Sequence, residues 1–90
     1  MTLVSHKGLK MTHTILRLPA VLKRRGVSRS AHYVDIKSGR FVKPVKLGVR
    51  ARGTPEDEVD SLVAATIAEK SDDEIRALVV KLEAARKVAK

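Results

Sequence analysis

Tyr33 and Phe41 are the only aromatic side chains in this sequence, and it has no cysteine. A chain of 90 residues must then close its core with Val, Leu, Ile and Ala. Helices bring such side chains to one face most readily. The length suits one small domain with a thin core. Lack of cysteine removes a disulfide framework and a thiolate zinc site, in keeping with a reducing compartment. No apolar run reaches membrane-spanning length, and the N-terminus shows no signal-peptide core, so the expected location is cytoplasmic, with no membrane partner.

Along the chain, residues 1–14 (MTLVSHKGLKMTHT) show no clean period and read as a flexible tail, with Met11 an alternative start. Leu18, Val21 and Leu22 then recur at helical spacing, Pro19 fits the first turn, and Gly26 ends the helix. Ser28 is placed to cap a second short helix, on which Tyr33 and Ile36 form the packing face while Arg29, Ser30 and Lys37 point outward. Gly39 supplies its left-handed exit. Two short helices joined through Arg25, Gly26 and Val27 read as a helix-turn-helix, whose second helix can enter a DNA major groove.

The next stretch, FVKPVKLGVRARGT, changes to alternation. Val45, Leu47, Val49 and Ala51 form one parity class, and Lys46, Arg50 and Arg52 the other. That predicts a hairpin about Gly48 with one buried and one basic face, the form of a wing. Thr54 is expected to cap a third helix with Pro55 at its first position, Glu56, Asp57 and Glu58 in its first turn, and a stripe of Val59, Leu62, Val63 and Ile67. Ser71 and Glu74 predict a capping box opening a fourth helix, whose face is Ile75, Leu78, Val79 and Leu82.

Charge divides the chain in the same way. Residues 1–53 hold thirteen Lys and Arg and one acid, Asp35, for +12; residues 54–90 hold six bases and nine acids, for −3. Such an asymmetry is the footprint of a polyanion binder, because neutralised phosphates release counterions.

These pieces together carry a specific resemblance. The stretch ILRLPAVLKRRGVSRSAHYVDIKSGRFVKPVKLGVRARG, continuing into EDEVDSLVA, is similar to the AlpA-type prophage regulators, relatives of phage excisionases with a MerR-like winged helix-turn-helix. It covers about residues 15–69. The fold it implies is mainly α with a small β-hairpin, a winged helix-turn-helix over residues 15–70, plus an additional amphipathic helix over residues 71–90. The function it implies is sequence-specific binding of double-stranded DNA in a prophage or mobile element. The role is that of a transcriptional regulator, a recombination directionality factor (excisionase), or both. By position, Ser28, Arg29, Ser30 and Tyr33 match the recognition-helix motif, and Lys43, Lys46 and Arg50 the basic wing. His32 and Lys37 on the helix, and Arg40 and Arg52 beside the wing, complete the candidate set. His32 stands where the family often has an aliphatic residue, Val34 where it often has a cation, and Thr54 where it often has a tryptophan. An integrase partner and a nucleoid-associated location follow from the same resemblance.

Other classes have less support. A zinc or phosphate-loop motif is missing; His6, His13 and His32 lack ligand-like spacing, and Asp72, Asp73 and Glu74 read as helix-start residues. No enzyme, cofactor or metal is therefore expected. An RNA-binding accessory protein would normally present stacking aromatics. An antitoxin-like module would dock its fourth helix on another polypeptide. The stripe of that helix must otherwise fold back on its own domain or join copies side by side on DNA.

Overall fold

The computed structural model describes residues 14–88. The elements are β1 (Ile15–Leu16), α1 (Leu18–Arg25), α2 (Arg29–Lys37), β2 (Val45–Lys46), β3 (Arg52–Pro55), α3 (Glu56–Ile67) and α4 (Asp72–Val88). This is a winged helix-turn-helix with a fourth helix. The expectation for residues 1–13 lies outside the described residues.

Local chemistry sets the helix-turn-helix. Pro19 sits in the first turn of α1, where a missing N–H costs no helical bond, and Lys23, Arg24 and Arg25 occupy the last turn. Gly26 leaves the helix at φ 70°, and its N–H donates to the Leu22 carbonyl at 2.8 Å. Ser28 then caps α2, its Oγ accepting from the Ala31 N–H at 3.1 Å. The chain leaves α2 through Ser38 and Gly39, the latter at φ 84°.

The expected hairpin forms, as β2 against β3, with Val45 opposite Gly53 and Lys46 opposite Arg52. Its buried face does not. Leu47 and Val49 are 44 % and 94 % exposed, because the ladder ends at Lys46 and, past one bond from the Leu47 N–H to the Ala51 carbonyl at 2.8 Å, the chain turns through residues 48–50; Val45 and Ala51 are half-buried. The sheet also gains a third strand. β1 pairs with the far side of β3, giving the order β1-β3-β2, with Leu16 opposite Thr54. Gly53 makes this approach feasible: a Cβ there would lie 2.5 Å from Ile15 Cγ2 and 3.0 Å from the Leu16 carbonyl oxygen. Thr54 is accordingly no cap. It is a buried strand residue, and Pro55 occupies the N-cap position of α3 without a side-chain cap.

The core joins α1, α3, α4 and the segment after α2. Val21, Phe41, Val42, Val59, Leu62 and Val79 are buried, with Leu16, Ile36, Val63, Ile75, Leu78 and Leu82 packed against them. Of the expected α3 stripe, Ile67 is 76 % exposed at the helix end and Ala65 is buried in its place. The Ser71–Glu74 capping box is present: Ser71 N–H donates to Glu74 Oε1 at 2.9 Å, and Glu74 N–H to Ser71 Oγ at 3.2 Å. The stripe of α4 packs into this shared core, so the boundary near residue 70 marks an element start and not a second core. Polar contacts hold the docked helix. Arg86 donates to Glu58 at 2.6 and 3.0 Å and to the Lys43 carbonyl at 2.8 Å, Arg76 donates to the Ser38 carbonyl at 3.0 Å, and Glu83 accepts from the Lys43 N–H at 2.8 Å.

Candidate nucleic-acid interface

A helix of nine residues can keep one arc for the core and another for solvent, and α2 does so. Its inward arc is His32, Asp35 and Ile36. Asp35 is the lone acid of the basic half, and it takes up two of that half's arginines. Arg25 Nη2 donates to its Oδ2 at 2.6 Å, and Arg40 donates to its Oδ1 from Nη2 at 3.0 Å and from Nε at 3.3 Å. Burial pushes the Asp35 carboxyl up, but the hydrogen bonds from both arginines outweigh it and hold the group below its ordinary value. Arg25 also lies 4.2 Å over the Phe41 ring.

His32 belongs to this network and not to the outer surface. It is 3 % exposed, packs edge-on against Phe41 at 5.1 Å, and its Nδ1 lies 2.9 Å from Arg25 Nη1. A guanidinium only donates, so Nδ1 accepts and the ring is neutral. Burial, and then the Arg25 charge, lower its pKa. The structure thus places His32 on the inward face, which the sequence assigned to Tyr33, and leaves Tyr33 50 % exposed.

A pH dependence follows. Above about pH 6.5 this histidine is neutral in folded and unfolded chains alike, and its contribution to stability is complete. As pH falls, the unfolded chain takes the proton first, so stability should drop through about pH 6.5 and below. Urea titrations between pH 7.5 and 5.5 should show this loss in the native chain and a smaller one in His32→Asn, whose Oδ1 can accept from Arg25 without titrating. Equal profiles would refute it.

The outward arc carries Arg29, Ser30, Tyr33, Val34 and Lys37, all exposed, with Ser28 at its start. On the hairpin, Lys46, Arg50 and Arg52 are exposed. The two surfaces adjoin, since Tyr33 and Arg52 line one cavity of about 90 Å³ with Pro44. Lys43 is exposed too, but its backbone is held by Glu83 and Arg86 of α4, ahead of β2. Arg40 departs further from the expected wing: it lies in the link after α2 with its guanidinium on Asp35.

Ion pairing sorts the cations by role. Arg24 pairs with Glu56 and Asp60, Arg25 and Arg40 with Asp35, Arg76 with Asp73, and Arg86 with Glu58. Among the described residues, Arg29, Lys37, Lys43, Lys46, Arg50 and Arg52 have no carboxylate partner, and neither do Arg17, Lys23, Lys70, Lys81 and Lys87 elsewhere on the surface. The acids that remain are on α3, α4 and the turn between them. The surface of α2 and the hairpin is therefore positive and uncompensated, as a phosphate-facing surface requires. The candidate set left out Val34, an exposed aliphatic within this arc; helical phase measured from Arg29 places it there. Among the described residues, no His, Asp and Glu cluster could hold a metal ion, and no helix is long and apolar enough to cross a membrane.

A family model described as Prophage CP4-57 regulatory protein (AlpA) matches residues 14–67, more than half of the chain, from β1 to the end of α3. Neither the curated proteins nor the solved structures provide a significant match.

Proposed function

The chain belongs to the AlpA family of prophage regulatory proteins, and from that premise we propose that it binds double-stranded DNA sequence-specifically as a regulator of a prophage or related mobile element. The observation that carries this reading is that the arginines joining elements of the fold, Arg25, Arg40 and Arg86, are matched by acids, while every cation of α2 and the hairpin is unmatched and exposed on adjoining surfaces. In this reading α2 enters the major groove, with Arg29 in its first turn facing base edges, and the hairpin lies along the backbone as a wing. Tyr33 directs its hydroxyl toward a phosphate.

The regulatory role is transcription control, excision control, or both. Excision control brings an integrase as partner and several copies on adjacent sites. The apolar stripe of α4 is used inside the fold, so self-association on DNA falls to its outer face, where Val80 is 68 % exposed.

The test is a binding titration on duplexes selected from a random pool and on unselected duplex. With Lys37, Lys43, Lys46, Arg50 and Arg52 each neutralising one phosphate, log affinity should fall with log salt at a slope of about −4.5. Arg29→Ala should cost about 1–3 kcal/mol on the selected duplex and little on random DNA. Lys46→Ala and Arg50→Ala should weaken both alike and reduce the slope by about 1 each. Equal affinity for selected and random duplex at every salt concentration overturns specific reading, and altered base preference from the hairpin variants overturns the division of roles.

A further inference from the structure

Val34 is the one large aliphatic side chain on the exposed surface of α2, 57 % exposed, with the single methyl of exposed Ala31 beside it, Ser30 one turn earlier and Lys37 nearly one turn later. It is not among the residues packed in the core, to which this helix gives buried His32 and partly buried Ile36. A β-branched residue also lowers the propensity of a short helix, so its position is unfavourable for folding on both counts. Isolated apolar side chains on a surface are ordinary. This one differs by its setting: apart from the small Ala31, the other exposed side chains of the helix, Arg29, Ser30, Tyr33 and Lys37, carry a hydrogen-bonding or charged tip.

The major groove contains polar edges everywhere except at one kind of group. Guanine, adenine and cytosine offer donors and acceptors, and only thymine adds a methyl, at C5. An aliphatic side chain pressed against a donor or acceptor would strip its water without replacing the hydrogen bond. Against the thymine methyl it buries apolar surface on both sides. Ser30 and Val34 lie on one ridge of the helix, about 6 Å apart along its axis, which leaves the valine to read its own base pair.

We propose that Val34 is a specificity-determining residue that selects a thymine through its C5 methyl group. The proposal rests on the reading of α2 as the recognition helix. Arg29 and Val34 then divide the labour: the arginine recognises hydrogen-bond acceptors near the start of the helix, and the valine recognises a methyl one and a half turns later.

Replacing thymine by deoxyuridine removes that methyl and leaves every hydrogen-bonding group in place, so it isolates the contact. The probe is a duplex selected by the full chain from a random pool, together with a series in which each thymine in turn is replaced by deoxyuridine. At one position the native chain should lose about fourfold in affinity, the worth of one buried methyl-sized group. Val34→Ala, exposed and more favourable to helix than valine, should bind the thymine duplex more weakly and be indifferent to deoxyuridine at that position. Val34→Thr, which keeps one methyl, should retain part of the preference.

If selection enriches no sequence, α2 does not read bases, and both this proposal and the proposed function fall. With an enriched sequence, a native chain indifferent to every deoxyuridine substitution overturns the methyl contact alone. A deoxyuridine penalty that persists undiminished in Val34→Ala assigns the methyl to another residue and overturns the role of Val34.

Discussion

Phe41→Ala should destabilise the chain by about 3–5 kcal/mol, a large fraction of what a domain of this size holds. The ring is 2 % exposed and is the largest fully buried side chain. It meets the edge of His32 and lies beneath the Arg25 guanidinium, so alanine leaves a cavity under two polar groups that face each other across 2.9 Å. Tyr33→Ala supplies the contrast. Half exposed, Tyr33 should cost about 1 kcal/mol or less on truncation. Urea denaturation of both variants measures the difference, and comparable losses would mean that the core is not organised around Phe41.

Arg86→Ala should cost about as much, because it leaves a carboxylate buried without its partner. Glu58 is 6 % exposed and receives two hydrogen bonds from Arg86, at 2.6 and 3.0 Å. Those bonds, chiefly, raise the arginine's pKa above its ordinary value. Removing one member of a buried pair typically costs about 3–5 kcal/mol, whereas removing both charges costs far less. The double variant Arg86→Ala with Glu58→Gln should therefore regain most of the stability lost by Arg86→Ala alone. A double variant no more stable than the single one would show that Arg86 acts by packing, and through the Lys43 carbonyl, not through charge.

What the sequence disclosed was mostly local. Gly26, Ser28, Gly39 and the Ser71–Glu74 pair each satisfy backbone groups a few residues away, so the helix ends can be read from residue type and spacing. What it withheld depended on distant partners. β1 is two residues long, too short for any period, and its place is set by an absent side chain at Gly53. Thr54 before Pro55 has the pattern of a cap, but pairing with Leu16 claims it for the sheet. At the candidate interface, Arg29, Ser30 and Lys37 were legible as outward because polar residues favour solvent. The exchange of His32 and Tyr33 was not. Adjacent residues on a helix differ by about 100°, and hydrophobicity favours the tyrosine; the histidine is drawn inward by Arg25 and Phe41, beyond the reach of local pattern. The placement of Arg40 was hidden as well, since only the turn through Ser38 and Gly39 brings its guanidinium back onto Asp35, five residues earlier.

The division of α2 into two arcs has a consequence for how such a chain can change over generations. The residues that hold the helix in place, His32, Asp35 and Ile36, are not those that face outward, Arg29, Ser30, Tyr33, Val34 and Lys37. Substitution within the outward set leaves no cavity and breaks no ion pair among the described residues, so mutational drift there meets little resistance from folding. Descendants of this chain can therefore diversify that surface while inheriting the same scaffold, whereas a change at His32 or Asp35 is exposed to purifying selection whatever the protein recognises.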